Sequence, residues 1–278
     1  MRAAHPDAVP MAGGTDLMVE INFGRRRPEA ILDVSRVPEL KVVRREGDRV
    51  VLGAGIPYAR AIRELSDHAA FVQAARTVGS PQIRNRGTVG GNLGTASPAG
   101  DALPVLAVYD ADVVVASAVG TRRIPWHRFL TGPKRNALAP DELIVAAEWT
   151  SPDGPGSFSK VGTRNAMVIS IAGLSLQVDT AGRRLRIALG SVGPTILRAP
   201  EAEVFGAGVL DESGTWADPG ATIPDAALAR FAELTAAAAR PIDDVRGTAA
   251  YRRHACAVLA RRALTWALDD RRAAASQA

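Results

Sequence analysis

Apolar residues fall along this chain in short runs, most of them cut off by glycine or proline, so the pattern predicts many short elements. Ala8 to Ala12 leads as a strand into Gly13-Gly14, and Ala30 to Val34 is a second short run. Arg49 to Gly55 predicts a third strand, ended by its glycines. Pro57 to Ala70 carries helical spacing, with Ala61, Ile62, Leu65 and Ala69 on one face, and Phe71 to Val78 predicts a second helix. After a glycine-rich stretch at 87–94 come a short helix, Ala102 to Tyr109, and strands over Asp112 to Ser117 and Glu142 to Trp149. The cluster Ser151-Pro152-Asp153-Gly154-Pro155-Gly156-Ser157 is the clearest boundary. Beyond it, Ile169 to Val178 and Arg184 to Ser191 flank the turn Asp179-Thr180-Ala181-Gly182, which is the pattern of a β-hairpin. Helices are predicted over Pro224 to Ala239 and Tyr251 to Leu268, the latter with Cys256, Leu259, Ala263 and Trp266 on one stripe. The Ala/Arg-rich end after Asp270 is expected to fray. Two unlike halves without regular βα alternation define an α+β fold and argue against a Rossmann sheet.

Composition narrows the chemistry. At 278 residues the chain has room for two or three modest domains. No stretch reaches the ~20 uninterrupted apolar residues of a membrane helix. Met1 to Asp7 lacks a signal-peptide core, so a cytoplasmic protein is expected. Cys256 is the only cysteine, which excludes an internal disulfide and any cysteine-ligated zinc or iron–sulfur site in this chain. The net charge of +5 raises nucleic acid as a partner. The basic residues are scattered, however, and Lys41, Lys134 and Lys160 are the only lysines. The densest cluster, Arg25-Arg26-Arg27, has no interleaved aromatics, so a solvated loop is expected and no nucleic acid.

Two glycine-rich segments carry most of the functional information: Met11-Ala12-Gly13-Gly14-Thr15-Asp16, and Thr88 to Asp101. Paired glycines let the backbone approach a phosphate and turn successive N–H groups into an anion nest. Each pair also reads as a plain tight turn, and neither matches the dinucleotide or P-loop signatures. Asp16 and Asp101 follow these loops, where a carboxylate caps a helix or accepts from ribose hydroxyls. By the residues alone, an N-cap is the favoured reading of Asp101. The four histidines show no metal spacing and read as surface or capping residues, with His127 in a loop and His254 among arginines on the last helix. No metal site and no Ser-His-Asp or Cys-His nucleophile is expected, since Cys256 lies on the buried stripe. Lys160, just after the boundary, reads as solvated or as reaching a phosphate or flavin edge.

The string Gln82 to Leu93, continuing through Ala96-Ser97-Pro98-Ala99-Gly100-Asp101, closely resembles the second FAD loop of the medium subunits of xanthine and carbon monoxide dehydrogenases. Ala12 to Asp16 resembles that family's first FAD loop, and Asp244-Val245-Arg246-Gly247-Thr248-Ala249-Ala250-Tyr251-Arg252 resembles its closing motif. The three motifs stand in family order across nearly the whole chain. The resemblance implies an α+β, two-lobed FAD-binding fold of the vanillyl-alcohol-oxidase/PCMH type, with lobes over 1–56 and 57–152, followed by a small C-terminal α+β domain over 157–270. It places Ala12, Gly13, Gly14, Thr15 and Asp16, with Thr88, Gly91 and Asn92, around the FAD pyrophosphate, and Met11, Leu17 and Gly90 beside them in the cofactor site. It has Asp101 accept from a ribityl or ribose hydroxyl, Ile144 pack near the ring system, and Lys160 stand near the isoalloxazine, favouring the anionic reduced flavin.

The implied function is an oxidoreductase subunit without catalytic acid or base, in a complex with a small [2Fe–2S] subunit and a large molybdopterin subunit, as a dimer of heterotrimers. Electrons pass from the partner centres through FAD to NAD+ or another acceptor. Two departures stand out. Only about ten residues precede the first loop, where family members carry a strand and a helix, implying either a later start or a lobe without its outer layer. Ser80-Pro81 replaces the usual residues before Gln82, which alters contacts beside the flavin. The rival readings are a free-standing flavin oxidase of the vanillyl-alcohol-oxidase type, which needs a large substrate-capping domain, and a non-catalytic nucleotide-binding protein, which would not take up FAD.

Overall fold

A computed structural model describes residues 2–277. Strands β1 (Val9–Met11) and β2 (Ile31–Asp33) pair in parallel, with helix α1 (Leu17–Asn22) in the connection between them. This first lobe buries Ala8, Leu17 and Val34 but leaves Met18, Val19, Phe23 and Ile31 exposed. Next come β3 (Val43–Glu46), β4 (Arg49–Gly53) and the helices α2 (Tyr58–Glu64), α3 (Ala69–Thr77), α4 (Pro81–Arg86), α5 (Val89–Thr95) and α6 (Ala102–Val108). Then follow β5 (Asp112–Ser117), β6 (Gly120–Pro125), α7 (Trp126–Phe129), β7 (Leu130–Gly132), β8 (Arg135–Asn136) and β9 (Leu143–Thr150). An antiparallel sheet orders them β3-β4-β9-β5-β6, with β9 pairing both β4 and β5. Alternation splits its residues between two faces. Val50, Leu52, Val113 and Val115 join the main core with α2, α3 and α6, while Val51, Val114 and Ala146 form a small cluster of their own.

Beyond the 151–155 turn, β10 (Gly156–Val161), β11 (Ala172–Asp179), β12 (Arg184–Gly190) and β13 (Leu197–Arg198) form an antiparallel sheet in that order. Helices α8 (Pro200–Glu212), α9 (Asp225–Ala238) and α10 (Ala249–Ala275) back this sheet. Phe158, Ala188 and Ile196 join the first core instead, against α3 and α6. With helices on both faces, every residue of β11 from Ala172 to Val178 is buried. Burial at each position erases the polar alternation of a half-exposed strand. The polar residues in it are satisfied: Ser175 Oγ donates to the Ser157 carbonyl at 3.1 Å, and Gln177 Nε2 donates to Gly154 at 2.9 Å.

Several sequence-based expectations need correction. The periodic stretch from Pro57 breaks at Leu65, and a new helix starts at Ala69. His68, at that break, holds the N-cap position of α3 without a side-chain cap bond and is not at the surface: it is buried against Tyr109 and Trp149, and burial lowers its pKa. His127 lies on the short helix α7. The hairpin strand starts at Ala172, leaving Ile169 in a loop. Trp266 turns outward at 45% exposure, and the buried stripe of α10 runs instead through Leu264, Ala267 and Leu268. The helix does not fray at Asp270. Arg271 is buried and donates to the carbonyls of Thr215 at 2.8 Å and Trp216 at 3.1 Å, so the last turns are held by tertiary bonds. No helix among the described residues is long and apolar enough to cross a membrane.

Candidate functional site

The second glycine-rich segment is helical over its first half, as α5. Thr88 caps α5 by accepting from the Gly91 amide at 2.9 Å, and the Gly90 amide donates to the Ala54 carbonyl at 3.1 Å. The glycines in it do different work. A Cβ on Gly90 would lie 2.5 Å from Ala54 Cβ, so this glycine lets α5 close onto the turn after β4. A Cβ on Gly91 would meet only the Thr88 hydroxyl, at 3.2 Å, and Gly91 lines a cleft.

The first loop lies directly against the second. A Cβ on Gly13 would stand 2.1 Å from the Arg86 carbonyl oxygen, and Thr95 Oγ1 donates to Asp16 Oδ2 at 2.9 Å. Gly14 takes φ +74°, which favours glycine. Asp16 begins α1 but makes no side-chain cap bond; its carboxylate is spent on Thr95.

A β-bulge supplies another wall. The register between β5 and β9 slips at Val145, whose carbonyl instead accepts from the Ala54 amide at 2.9 Å. Bulges re-aim side chains. Ile144 accordingly faces the cleft, with its Cδ1 3.7 Å from the position a Cβ on Gly94 would take.

These walls enclose a cleft of about 980 Å³, at the upper end of the ~300–1,000 Å³ typical of small-molecule sites. Met11 to Leu17, Thr88, Gly90, Gly91, Asn92, Asp101 and Ile144 all line it. Lys160 does not. It sits on β10, with Nζ donating to Asp101 Oδ2 at 2.6 Å and to the carbonyls of Thr77 and Val168, each at 3.1 Å. Those three bonds use all the donors an ammonium has, and both side chains of the pair are 9% exposed. Neither a solvated lysine nor a free cation at the cleft describes it. Asp101 does stand at the N-cap position of α6, but its side chain makes no cap bond and takes Lys160 and Thr77 instead. Burial raises the Asp101 pKa, and the Lys160 charge pulls it part of the way back.

Sequence reasoning missed Tyr58, Lys134 and the segment Arg164, Met167, Val168 and Ile169, all of which line the cleft, as does Ser80. Ser80, one of the two noted departures, caps α4 by accepting from the Ile83 amide at 3.3 Å, with Pro81 following as the first helical residue. The Arg164–Ile169 wall carries no signal of its own, because its position follows from how the second sheet docks on α3 and α6.

The lining suits an extended, phosphate-bearing ligand. Gly91 leaves a side-chain-free floor, while Asn92 Oδ1 and Tyr58 OH are buried without a hydrogen-bond partner among the described residues. Unsatisfied buried polar atoms are costly, and a polar ligand would supply their partners. Gly91→Ala separates fold from ligand. The thermal midpoint is expected to hold or rise slightly, since a helical Gly→Ala gains up to ~1 kcal/mol, while affinity for added FAD, the cofactor the resemblance implies, falls on the order of tenfold or more. Differential scanning fluorimetry beside a fluorescence titration checks this, and unchanged affinity would remove Gly91 from the floor.

Fold and site together define a two-lobed α+β protein with an extended cleft walled by two glycine loops. The comparisons agree. Residues 1–148 match the family model described as "FAD binding domain in molybdopterin dehydrogenase", and residues 217–267 match "CO dehydrogenase flavoprotein C-terminal domain". The chain is 31% identical to the 6-hydroxypseudooxynicotine dehydrogenase complex subunit alpha of Paenarthrobacter nicotinovorans, covering 96% of this chain and 88% of that protein. It is 37% identical to the nicotinate dehydrogenase FAD-subunit of Eubacterium barkeri, over 64% of this chain and 63% of that protein. Among solved structures, carbon monoxide dehydrogenase of Hydrogenophaga pseudoflava superimposes with TM-score 0.82 at 28% identity, covering 95% of this chain and 90% of that one. The chain therefore belongs to the FAD-binding medium subunits of the molybdenum hydroxylases, and it is an oxidoreductase component.

Proposed function

We propose that the cleft seats FAD and that this chain is the flavin relay of a molybdenum hydroxylase complex. In this reading, electrons arrive from molybdenum and [2Fe–2S] centres on a large and a small partner subunit, in a dimer of heterotrimers, and leave to NAD+ or another acceptor. The observation that carries it is the meeting of the two glycine loops over a cleft whose floor is the side-chain-free face of Gly91. The single cysteine, Cys256, is buried on α10, where burial pushes its thiol up to about 12, so cluster ligation is left to partners.

Bound FAD supplies the redox chemistry, and the protein sets its position and surroundings. Gly13 and Gly14, with Gly91, are the residues that would hold the pyrophosphate of bound FAD. Asp101 is oriented for a hydroxyl: both of its hydrogen bonds fall on Oδ2, which leaves Oδ1 for a ribityl or ribose donor. Ile144 offers an apolar face to a ring system. Lys160 acts one step removed, holding Asp101 in place and compensating its charge. No side chain need gain or lose a proton for electrons to pass.

The test is the absorbance of the purified full chain with added FAD. Flavin bands at about 370 and about 450 nm that stay with the protein through gel filtration, and release FAD on denaturation, are expected. A chain that remains colourless in excess FAD overturns the reading.

A further inference from the structure

The Asp244–Arg252 string lies outside the cleft lining, yet it holds one of two buried arginines among the described residues. Arg252 Nη2 donates to Asp244 Oδ1 at 2.7 Å, and its Nη1 donates to two carbonyls, Ile171 at 2.6 Å and Ser191 at 2.7 Å. The rest of the string serves this arrangement. The Arg246 amide also donates to Asp244 Oδ1, at 2.8 Å, and Thr248 caps α10. A Cβ on Gly247 would lie 3.2 Å from Ile171 Cγ2, so the turn closes onto Ile171.

The two carbonyls belong to two of the routes by which the second sheet reaches the cleft, the Lys160 bonds to Asp101 and Val168 being another. Ile171 ends the segment whose Arg164, Met167, Val168 and Ile169 form the cleft's third wall. Ser191 stands at φ +65° just after β12, and its amide donates to the Pro98 carbonyl at 2.7 Å. Pro98 is in the second glycine-rich segment, and the next residues, Ala99 and Gly100, line the cleft. One buried guanidinium therefore spans both routes. A planar, fixed fork of donors does this where a flexible chain end would not.

We propose that Arg252 is a positioning residue for the flavin cleft. By holding Ile171 and Ser191 together, it sets the spacing between the third wall and the second glycine loop. This rests on FAD occupying the cleft. Arg271 provides a matched control, since it is buried on the same helix and bonded to two carbonyls, but those belong to Thr215 and Trp216, outside the cleft lining.

The test compares R252Q, R252K and R271Q in the full chain, measuring FAD affinity, the visible circular dichroism of bound flavin, and the thermal midpoint. R252Q is expected to weaken FAD binding on the order of tenfold, about 1.4 kcal/mol, and to change the flavin dichroism. R252K is expected to fall between R252Q and the wild type. R271Q should lower the midpoint while keeping wild-type affinity and dichroism. Should R252Q not fold, R252K against R271K decides by the same readings. Wild-type affinity and dichroism in the Arg252 variant, or equal shifts in the Arg271 variant, overturn the proposal. A wild-type chain that binds no FAD fails at the earlier step and removes the reading on which this one rests.

Discussion

Lys160→Ala is expected to cost about 3–5 kcal/mol of folding stability at neutral pH, the usual loss when one member of a buried ion pair is removed. Its partner Asp101 is stranded by the change, with the Thr77 hydroxyl, at 3.2 Å, as its remaining hydrogen-bond donor. The loss is pH-dependent, and its sign follows from Asp101. Burial already raises that carboxyl's folded pKa above its unfolded value, and Lys160 works against the shift. A group with a raised folded pKa contributes stability that is fully present below the unfolded pKa and is lost as pH rises through the folded one. Removing the lysine raises the folded pKa further, so the variant suffers least in acid and most near neutrality. Urea unfolding of wild type and variant at about pH 5 and about pH 8 measures this. The gap between them should widen with pH. Asp101→Asn with Lys160→Met should recover most of it, since a buried pair replaced by uncharged side chains of similar size is often neutral. A deficit under about 1 kcal/mol at both pH values would mean that the pair behaves as an exposed one.

Gly13→Ala is expected to damage both fold and cofactor binding. Its new methyl would sit 2.1 Å from the Arg86 carbonyl oxygen and 2.6 Å from the Arg86 carbonyl carbon. Those are backbone atoms and cannot rotate away, so one loop must retreat from the other. Overpacking of this kind costs roughly 1–3 kcal/mol. The same retreat opens the cleft between the loops, and displacements near 1 Å at such sites cost on the order of 10²-fold in function. FAD titration and thermal melts of G13A against G208A check this. Gly208 lies on α8 with nothing within 4 Å of an added methyl, and its substitution should leave FAD binding near wild type and hold or raise the midpoint. If G13A binds FAD as the wild type does, the two loops do not jointly form the site.

Local structure is legible in the sequence where near neighbours decide the outcome. The hairpin of β11 and β12 follows from two apolar runs about a Gly-containing turn, and α9 follows from its 3.6-residue spacing. Local reasoning failed where distant contacts override propensity. Val89-Gly90-Gly91 is a poor helix by composition, yet it opens α5 because Gly90 docks on Ala54, far back in the chain. Helix α8 was missed for a similar reason. Gly206 weakens its periodicity, and that glycine is required because a Cβ there would stand 2.6 Å from Leu185 Cδ2.

The division is the same at the site. Two contiguous glycine-rich strings mark phosphate-compatible loops, and a single cysteine is too few for a thiolate-ligated iron–sulfur cluster; both are legible in the residues themselves. Only the tertiary structure decided which glycines admit another stretch of backbone, as Gly13 and Gly90 do, and which faces the open cleft, as Gly91 does. It also decided that Lys160 spends its charge on Asp101 and that the third wall of the cleft comes from residues 164–169. Spacing along a chain reports the contacts of the next few residues. The destination of a buried charge, or of a missing Cβ, depends on what long-range packing brings against it.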